Sequence, residues 1–348
     1  MNTKLSGVAI RSIATAVPKQ DFDLTELYGV YGTDDVDRIM ALNGITHIRT
    51  APEGMCSSDF CEAAARLIMA EESTANIDGI VFVSQTPDYI LPATSAVLQH
   101  RLGLSKDTVI FDLNSGCPGY IYGLYQASLL VASGACTSVL VCVGDVITRY
   151  VNQLDRSSQM VFGDGGSATL VERGSGEIAF GFRTDGSGGK HLIIPAGGCR
   201  HPITEDTGMV SVQSDGNMRS DEDIFMDGLE VMNYAVREVP PIIEKLLEQM
   251  GWQQSEVGTF GFHQANRFML DNLRKIMRLP KDKVPVTMEK LGNTGSASIP
   301  LMLAEERERL STENRLEKSI LCGFGVGMSC SAAALDLSQT KIWDFLEI

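Results

Sequence analysis

The chain has 348 residues, 44% of them apolar and 21% charged, with a formal net charge of −15 at pH 7. That length and apolar content suffice for a large packed core and exclude a chain that is mainly disordered. The negative balance argues against nucleic acid or an anionic membrane as the principal partner, and no run approaches the ~18 uninterrupted apolar residues of a membrane span.

In chain order, the first seven residues lack the apolar core of a signal peptide, so a cytoplasmic setting is expected. The eight cysteines are then expected as reduced thiols. With five histidines and no CxxC pair, no structural zinc is expected. Short Val- and Ile-rich runs at 80–83, 108–113, 138–143 and 168–171 predict buried strands. Between them, 61–71 and 120–133 have helical spacing of apolar residues. The stretch 172–177 (ERGSGE) reads as the one soft joint, dividing the chain into halves 1–174 and 175–348. Residues 205–230 carry eight acids and one base, and predict an exposed excursion. A long helical pattern over 226–250 is interrupted by Pro240-Pro241. Strands are expected at 260–262, 319–324 and 332–335, with a helix over 299–310. Strands alternating with helices imply a layered α/β protein.

Four motifs can carry chemistry. In Asn114-Ser115-Gly116-Cys117-Pro118-Gly119-Tyr120 a strand pattern ends and a helix begins with Pro118. Cys117 would sit beside a helix N-terminus, where partial positive charge lowers a thiol pKa and backbone N–H groups can hold an oxyanion. A small buried residue at a tight turn is the other reading. His263, in Gly261-Phe262-His263-Gln264-Ala265-Asn266, follows a strand, at the end where α/β sheets bind ligands. A hydrogen-bonded core histidine would look the same. Gly292-Asn293-Thr294-Gly295-Ser296 leaves room for a ligand beside the Asn293 amide, or is simply a turn and cap. Gly323-Phe324-Gly325-Val326-Gly327 is a glycine-rich loop after a strand, too late in the chain to open a dinucleotide fold. The similar Phe162-Gly163-Asp164-Gly165 reads as a structural turn.

Cys, His and Asn in that order, each in this small-residue context, resemble the β-ketoacyl-acyl-carrier-protein synthase III family of the thiolase superfamily. The resemblance spans nearly the whole chain, from Gly44-Ile45-Thr46 through the FGDG loop to the C-terminal GFGVG loop. It implies a thiolase-like five-layered αβαβα sandwich of two similar halves, usually a homodimer. It implies a Cys117 nucleophile, with His263 and Asn293 as donors to an enolate and the backbone of Gly325, Val326 and Gly327 at the oxyanion. The implied reaction is acyl transfer from an acyl-CoA or acyl-carrier-protein to Cys117, then decarboxylative Claisen condensation with malonyl-acyl-carrier-protein. No metal or redox cofactor is implied. Arg156, Phe324 and Leu91 are the expected substrate contacts, with cavity walls from 85–95, a region near the dimer partner in this family, and from 195–215. Arg267, Arg274, Lys275 and Arg278 form a basic patch, with 267, 274 and 278 on one helical stripe, expected to meet the acidic carrier protein.

Departures from the family pattern point to a specialised member. The position of the adenine-stacking Trp is held by Arg38, and 33–43 contains no aromatic residue. Arg267 follows HQAN directly, one place early. The cysteine is flanked by Gly116 and Pro118, where Ala is usual on both sides. Transfer of the acyl group to an oxygen or nitrogen nucleophile, a Cys-His-Asn thiol hydrolase and a non-catalytic partner subunit are the competing readings.

Overall fold

One hydrogen-bonded network of nine strands frames the computed structural model, which describes residues 1–72 and 76–348. In chain order these strands are Asn2–Val17 (β1), Gly79–Val83 (β2), Val109–Leu113 (β3), Ser138–Asp145 (β4), Gly165–Thr184 (β5), Thr259–Phe262 (β6), Ser319–Gly325 (β7), Ser329–Leu335 (β8) and Lys341–Glu347 (β9). The principal helices are Thr33–Asn43 (α1), Ser57–Glu71 (α2), Thr94–Arg101 (α3), Gly119–Ala132 (α4), Gly228–Met250 (α5), Arg267–Ile276 (α6) and Ser298–Glu305 (α7).

The order β6-β7-β8-β5-β4-β2-β3 runs through β5, which is long enough to serve two sheet regions. Residues 165–172 pair with β4, residues 179–184 pair with β8, and β1 runs antiparallel along both stretches. The soft joint expected at 172–177 is therefore strand. Its Gly and charged residues mark where β5 leaves one region for the other, and pairing with β1 satisfies its backbone.

Period-two burial sorts the side chains into layers. Val81, Val83, Val139, Val141 and Val143 face a central core shared with α4 and α7. Ile80, Phe82, Leu140 and Cys142 face α2 and α3 on one outer side. Ile320, Cys322, Ala332 and Ala334 face α5 and α6 on the other. The result is a mixed sheet with helices between and outside its two regions.

Other expectations needed correction. The strand at 109–113 is an edge, with Ile110 36% and Phe111 38% exposed, because only β2 pairs with it among the described residues. Helix α5 runs unbroken through Pro240 and Pro241. Burial of Val231, Tyr234, Ala235, Val239, Ile242, Ile243 and Leu246 outweighs the ~3 kcal/mol cost of an interior proline. The helix expected over 299–310 is two pieces, Ser298–Glu305 and Arg307–Thr312. The excursion at 205–230 is pinned by its single base: Arg219 is buried, 2.9 Å from Asp155 and 2.5 Å from Asp215. Among the described residues, no helix is long and apolar enough to cross a membrane.

Phe180, fully buried on β5 in the central core, stacks edge-on to Tyr125 with ring centroids 5.2 Å apart. Phe180→Ala should cost about 3–5 kcal/mol, read as a lowered urea midpoint.

Candidate active site

Cys117 stands one residue before Pro118, the N-cap of α4, and is 8% exposed. The GFGVG loop closes over it. A Cβ at Gly325 would lie 3.0 Å from Cys117 Sγ, and its φ of +151° adds a second reason for glycine. The backbone N–H groups of Val326 and Cys117 lie near enough to Sγ to favour its charged form. The helix-start geometry is as expected, but the lowered thiol pKa is not. Burial, with Asp145 nearby, pushes Cys117 up to about 12, against the two N–H donors.

His263 begins the loop after β6, with its N–H on the Cys322 carbonyl at 2.8 Å. Its ring is buried; Nδ1 lies 2.6 Å from Ser298 Oγ, and the Gly295 backbone lies near enough to favour the protonated ring. Burial drives the ring down to about 3, so it is neutral at physiological pH. Asn293 is held by its backbone: its N–H donates to Val161 at 2.8 Å, and its carbonyl accepts from Gly163 at 3.0 Å. Its Oδ1 accepts the Gly295 N–H at 3.0 Å, which leaves the Nδ2 hydrogens available. Gly295 thus touches His263 and Asn293 and also lines the cavity that contains Cys117. Gly295 links the loops of His263 and Asn293 to the cavity in which Cys117 stands.

That cavity measures about 260 Å³, with walls that include Ile147, Phe162, Leu192, Ile194, Ile224 and Val326. The FGDG loop supports it from behind. Asp164 is buried and accepts from Ala51 N at 2.8 Å and Thr148 N at 3.1 Å, and burial raises it to about 6. The sequence reading missed Asp145, which ends β4. One of its oxygens accepts from Gln85 N at 2.8 Å; the other accepts from Ser296 N at 3.1 Å and Ser296 Oγ at 2.8 Å. An acid at the C-terminal end of the buried VLVCVGD run was the available signal.

The remaining predicted contacts lie outside this cavity. Phe324 is buried with its ring edge-on to His263, centroids 5.7 Å apart, so it packs under the imidazole. Leu91 is 79% exposed on the loop before α3. Arg156 pairs with Asp35 at 2.8 Å, and Arg38 reaches the same carboxylate at 2.9 Å. The basic stripe is shorter than expected because α6 stops at Ile276, and Arg278 lies beyond it with a φ of +55°. Arg267 pairs with Glu289 at 3.7 Å and Arg274 with Asp271 at 3.5 Å, while Lys275 and Arg278 have no ion pair among the described residues.

A cysteine at a buried helix start, with a neutral imidazole and an Asn carboxamide on loops that adjoin its cavity, in a thiolase-like α/β sandwich, fits a thioester condensing enzyme as the class. Residues 111–186 match the family model of 3-oxoacyl-[acyl-carrier-protein] synthase III, and residues 247–337 match that of its C-terminal region. A beta-ketoacyl-[acyl-carrier-protein] synthase III of Symbiobacterium thermophilum is 32% identical over 340 residues, 95% of this chain and 98% of that one. The crystal structure of a 3-oxoacyl-(acyl-carrier protein) synthase from Burkholderia xenovorans superposes with a TM-score of 0.92 at 33% identity, covering 100% of this chain and 99% of that one. A 3-oxoacyl-(acyl-carrier-protein) synthase III solved at 2.1 Å gives 0.88 at 39% identity, covering 94% and 98%. The chain belongs to the 3-oxoacyl-[acyl-carrier-protein] synthase III family.

Between its ordinary value of 6.5 and about 3, the His263 ring binds fewer protons folded than unfolded. Its contribution to stability is complete above about pH 6.5 and is lost as pH falls toward 3. Urea unfolding should show wild type losing more stability than His263→Asn between about pH 7 and pH 5. Equal losses would contradict this.

Proposed function

We propose that Cys117, His263 and Asn293 carry out the reaction of this family, as a 3-oxoacyl-acyl-carrier-protein synthase III-like acyltransferase of fatty acid biosynthesis. The largely apolar cavity beside Cys117, walled by Val326 of the GFGVG loop and by Gly295, which donates to Asn293, supports the reading. Cys117 Sγ attacks an acyl thioester. The N–H groups of Val326 and Cys117 meet the charge that develops on the carbonyl oxygen. The donor's carbon–sulfur bond breaks, its thiol leaves with a proton, and an acyl-enzyme remains. A malonyl thioester then loses CO₂, and the electron pair left behind forms an enolate. The role requires the His263 tautomer in which Nδ1 accepts from the Ser298 hydroxyl 2.6 Å away and Nε2 carries the hydrogen, which, with Asn293 Nδ2, donates to the enolate oxygen. A neutral imidazole suits this role, since it donates without taking the proton away. The carbanion attacks the acyl carbonyl, the bond to Sγ breaks, and a 3-oxoacyl thioester departs.

The donor is an acyl-CoA or acyl-carrier-protein. Arg38 and Arg156 flank Asp35, and guanidinium planes can stack on an adenine where the family uses Trp. The malonyl group rides on acyl carrier protein, drawn by Lys275 and Arg278 beside exposed Phe268 and Ile276. Screening over ~8 Å lets this patch act despite the net charge of −15. A homodimer belongs to the same reading: the edge strand β3 and the exposed Tyr89, Ile90 and Leu91 offer unpaired backbone and apolar surface to a second copy. So does a cytoplasmic setting, in which eight unpaired cysteines stay reduced.

Intact-protein mass spectrometry tests the chemistry. An acyl adduct should form on wild type from acyl-CoA, be absent from Cys117→Ala, and discharge with malonyl-carrier-protein to a 3-oxoacyl product. An adduct that ignores malonyl donors would mean acyl transfer to another nucleophile, and no adduct would remove Cys117 as the acceptor. The double change Lys275→Glu and Arg278→Glu should raise KM for malonyl-carrier-protein about tenfold at low salt, with KM for acyl-CoA little moved. Equal rises would argue against the docking patch.

A further inference from the structure

The wall of the acyl cavity is uneven. Ile147, Phe162, Leu192, Ile194 and Ile224 make it apolar, yet the polar residues Gln85 and Asn114 line it together with Cys117. Gln85 is held at its backbone, where its N–H donates to Asp145 Oδ1 at 2.8 Å. That is the one hydrogen bond it makes among the described residues, so its side-chain amide is unpartnered there.

The residue before the nucleophile is fitted to this amide. A Cβ on Gly116 would fall 1.9 Å from Gln85 Oε1 and 2.8 Å from Val326 Cγ1. Glycine at 116 and glutamine at 85 therefore form a pair: an alanine at 116 would force the carboxamide from its place. Gly116 directly precedes Cys117, and Gln85, Val326 and Cys117 line one cavity, so the amide stands close to the reacting atoms.

An unsubstituted acyl chain would strip water from this amide and return no hydrogen bond. An acyl group with its own hydroxyl or keto oxygen would return one, since a carboxamide both donates and accepts. An anionic substituent would instead meet the oxygens of Asp145 in the same wall. We propose that Gln85 is a specificity-determining residue, and that the cavity favours acyl groups bearing a neutral hydroxyl or keto oxygen within the first few carbons of the thioester. The proposal rests on the acyl-enzyme reading. The selected step is thioester exchange: the Sγ–carbonyl bond forms, the donor's carbon–sulfur bond breaks, and the thiol proton leaves on CoA.

The test compares rates of adduct formation from 3-hydroxybutyryl-CoA and butyryl-CoA by intact mass. In wild type the hydroxylated donor should acylate about tenfold faster. Gln85→Leu, and separately Gly116→Ala, should bring the ratio to one or below. Taking the ratio within each protein cancels any loss of folded material. A wild-type ratio near one, or a preference that survives both substitutions, overturns the proposal while leaving the acyl-enzyme intact. Failure of wild type to form either adduct overturns the Cys117 reading, and this proposal with it.

Discussion

The carboxyl of Asp145 is buried, and both of its oxygens are occupied. Burying such a group without partners would cost several kcal/mol, so the chain around it has little freedom. One oxygen fixes the start of the segment that carries Gln85; the other fixes Ser296, next to Gly295. Gly295 in turn engages Asn293 and His263. The Cys117 cavity and the loops from the far end of the sequence are thereby tied to the end of one strand. Burial raises the Asp145 pKa, and the hydrogen bonds from Gln85, Ser296 and Ser84 oppose that rise.

Desolvation governs the rest of the site as well. It pushes Cys117 up to about 12 and His263 down to about 3, so both rest uncharged. Neither of these two side chains carries charge before substrate arrives. In the proposed reaction the site's N–H donors act on charge that appears only as the carbonyl is attacked or the carboxylate lost, and differential stabilisation of that kind is what accelerates a step. The close contact of Gly325 with Sγ keeps those donors near the reacting atom.

Around this centre, charged residues do structural tasks that composition alone would assign to solvent. Arg219 draws an acidic excursion down onto Asp155, and Ile224 from that excursion reaches the cavity wall. Asp35 holds two arginines at once. Two cations of the expected basic stripe are already paired, which narrows the free positive charge there to Lys275 and Arg278.

Much of this was legible before the fold was known. Apolar runs at 80–83 and 138–143 marked sheet because alternate residues bury on opposite faces, and the order of Cys117, His263 and Asn293 in small-residue contexts pointed to both family and site. The long N-terminal strand was not read, since its length comes from pairing along β5. Local composition marked 172–177 as a joint, but hydrogen bonds to a strand distant in sequence decide the backbone there. Gln85 fell within the expected wall at 85–95, but its fit to Gly116, the partners of Asp145 and the true burial of Phe324 depend on contacts between segments far apart in the chain. The sequence by itself determined which residues could react and which runs would be strand or helix, as these follow from side-chain chemistry and periodicity. Only the tertiary structure decided the protonation of Cys117 and His263, the occupancy of the surface arginines and the shape of the cavity, because desolvation and packing are properties of the assembled neighbours.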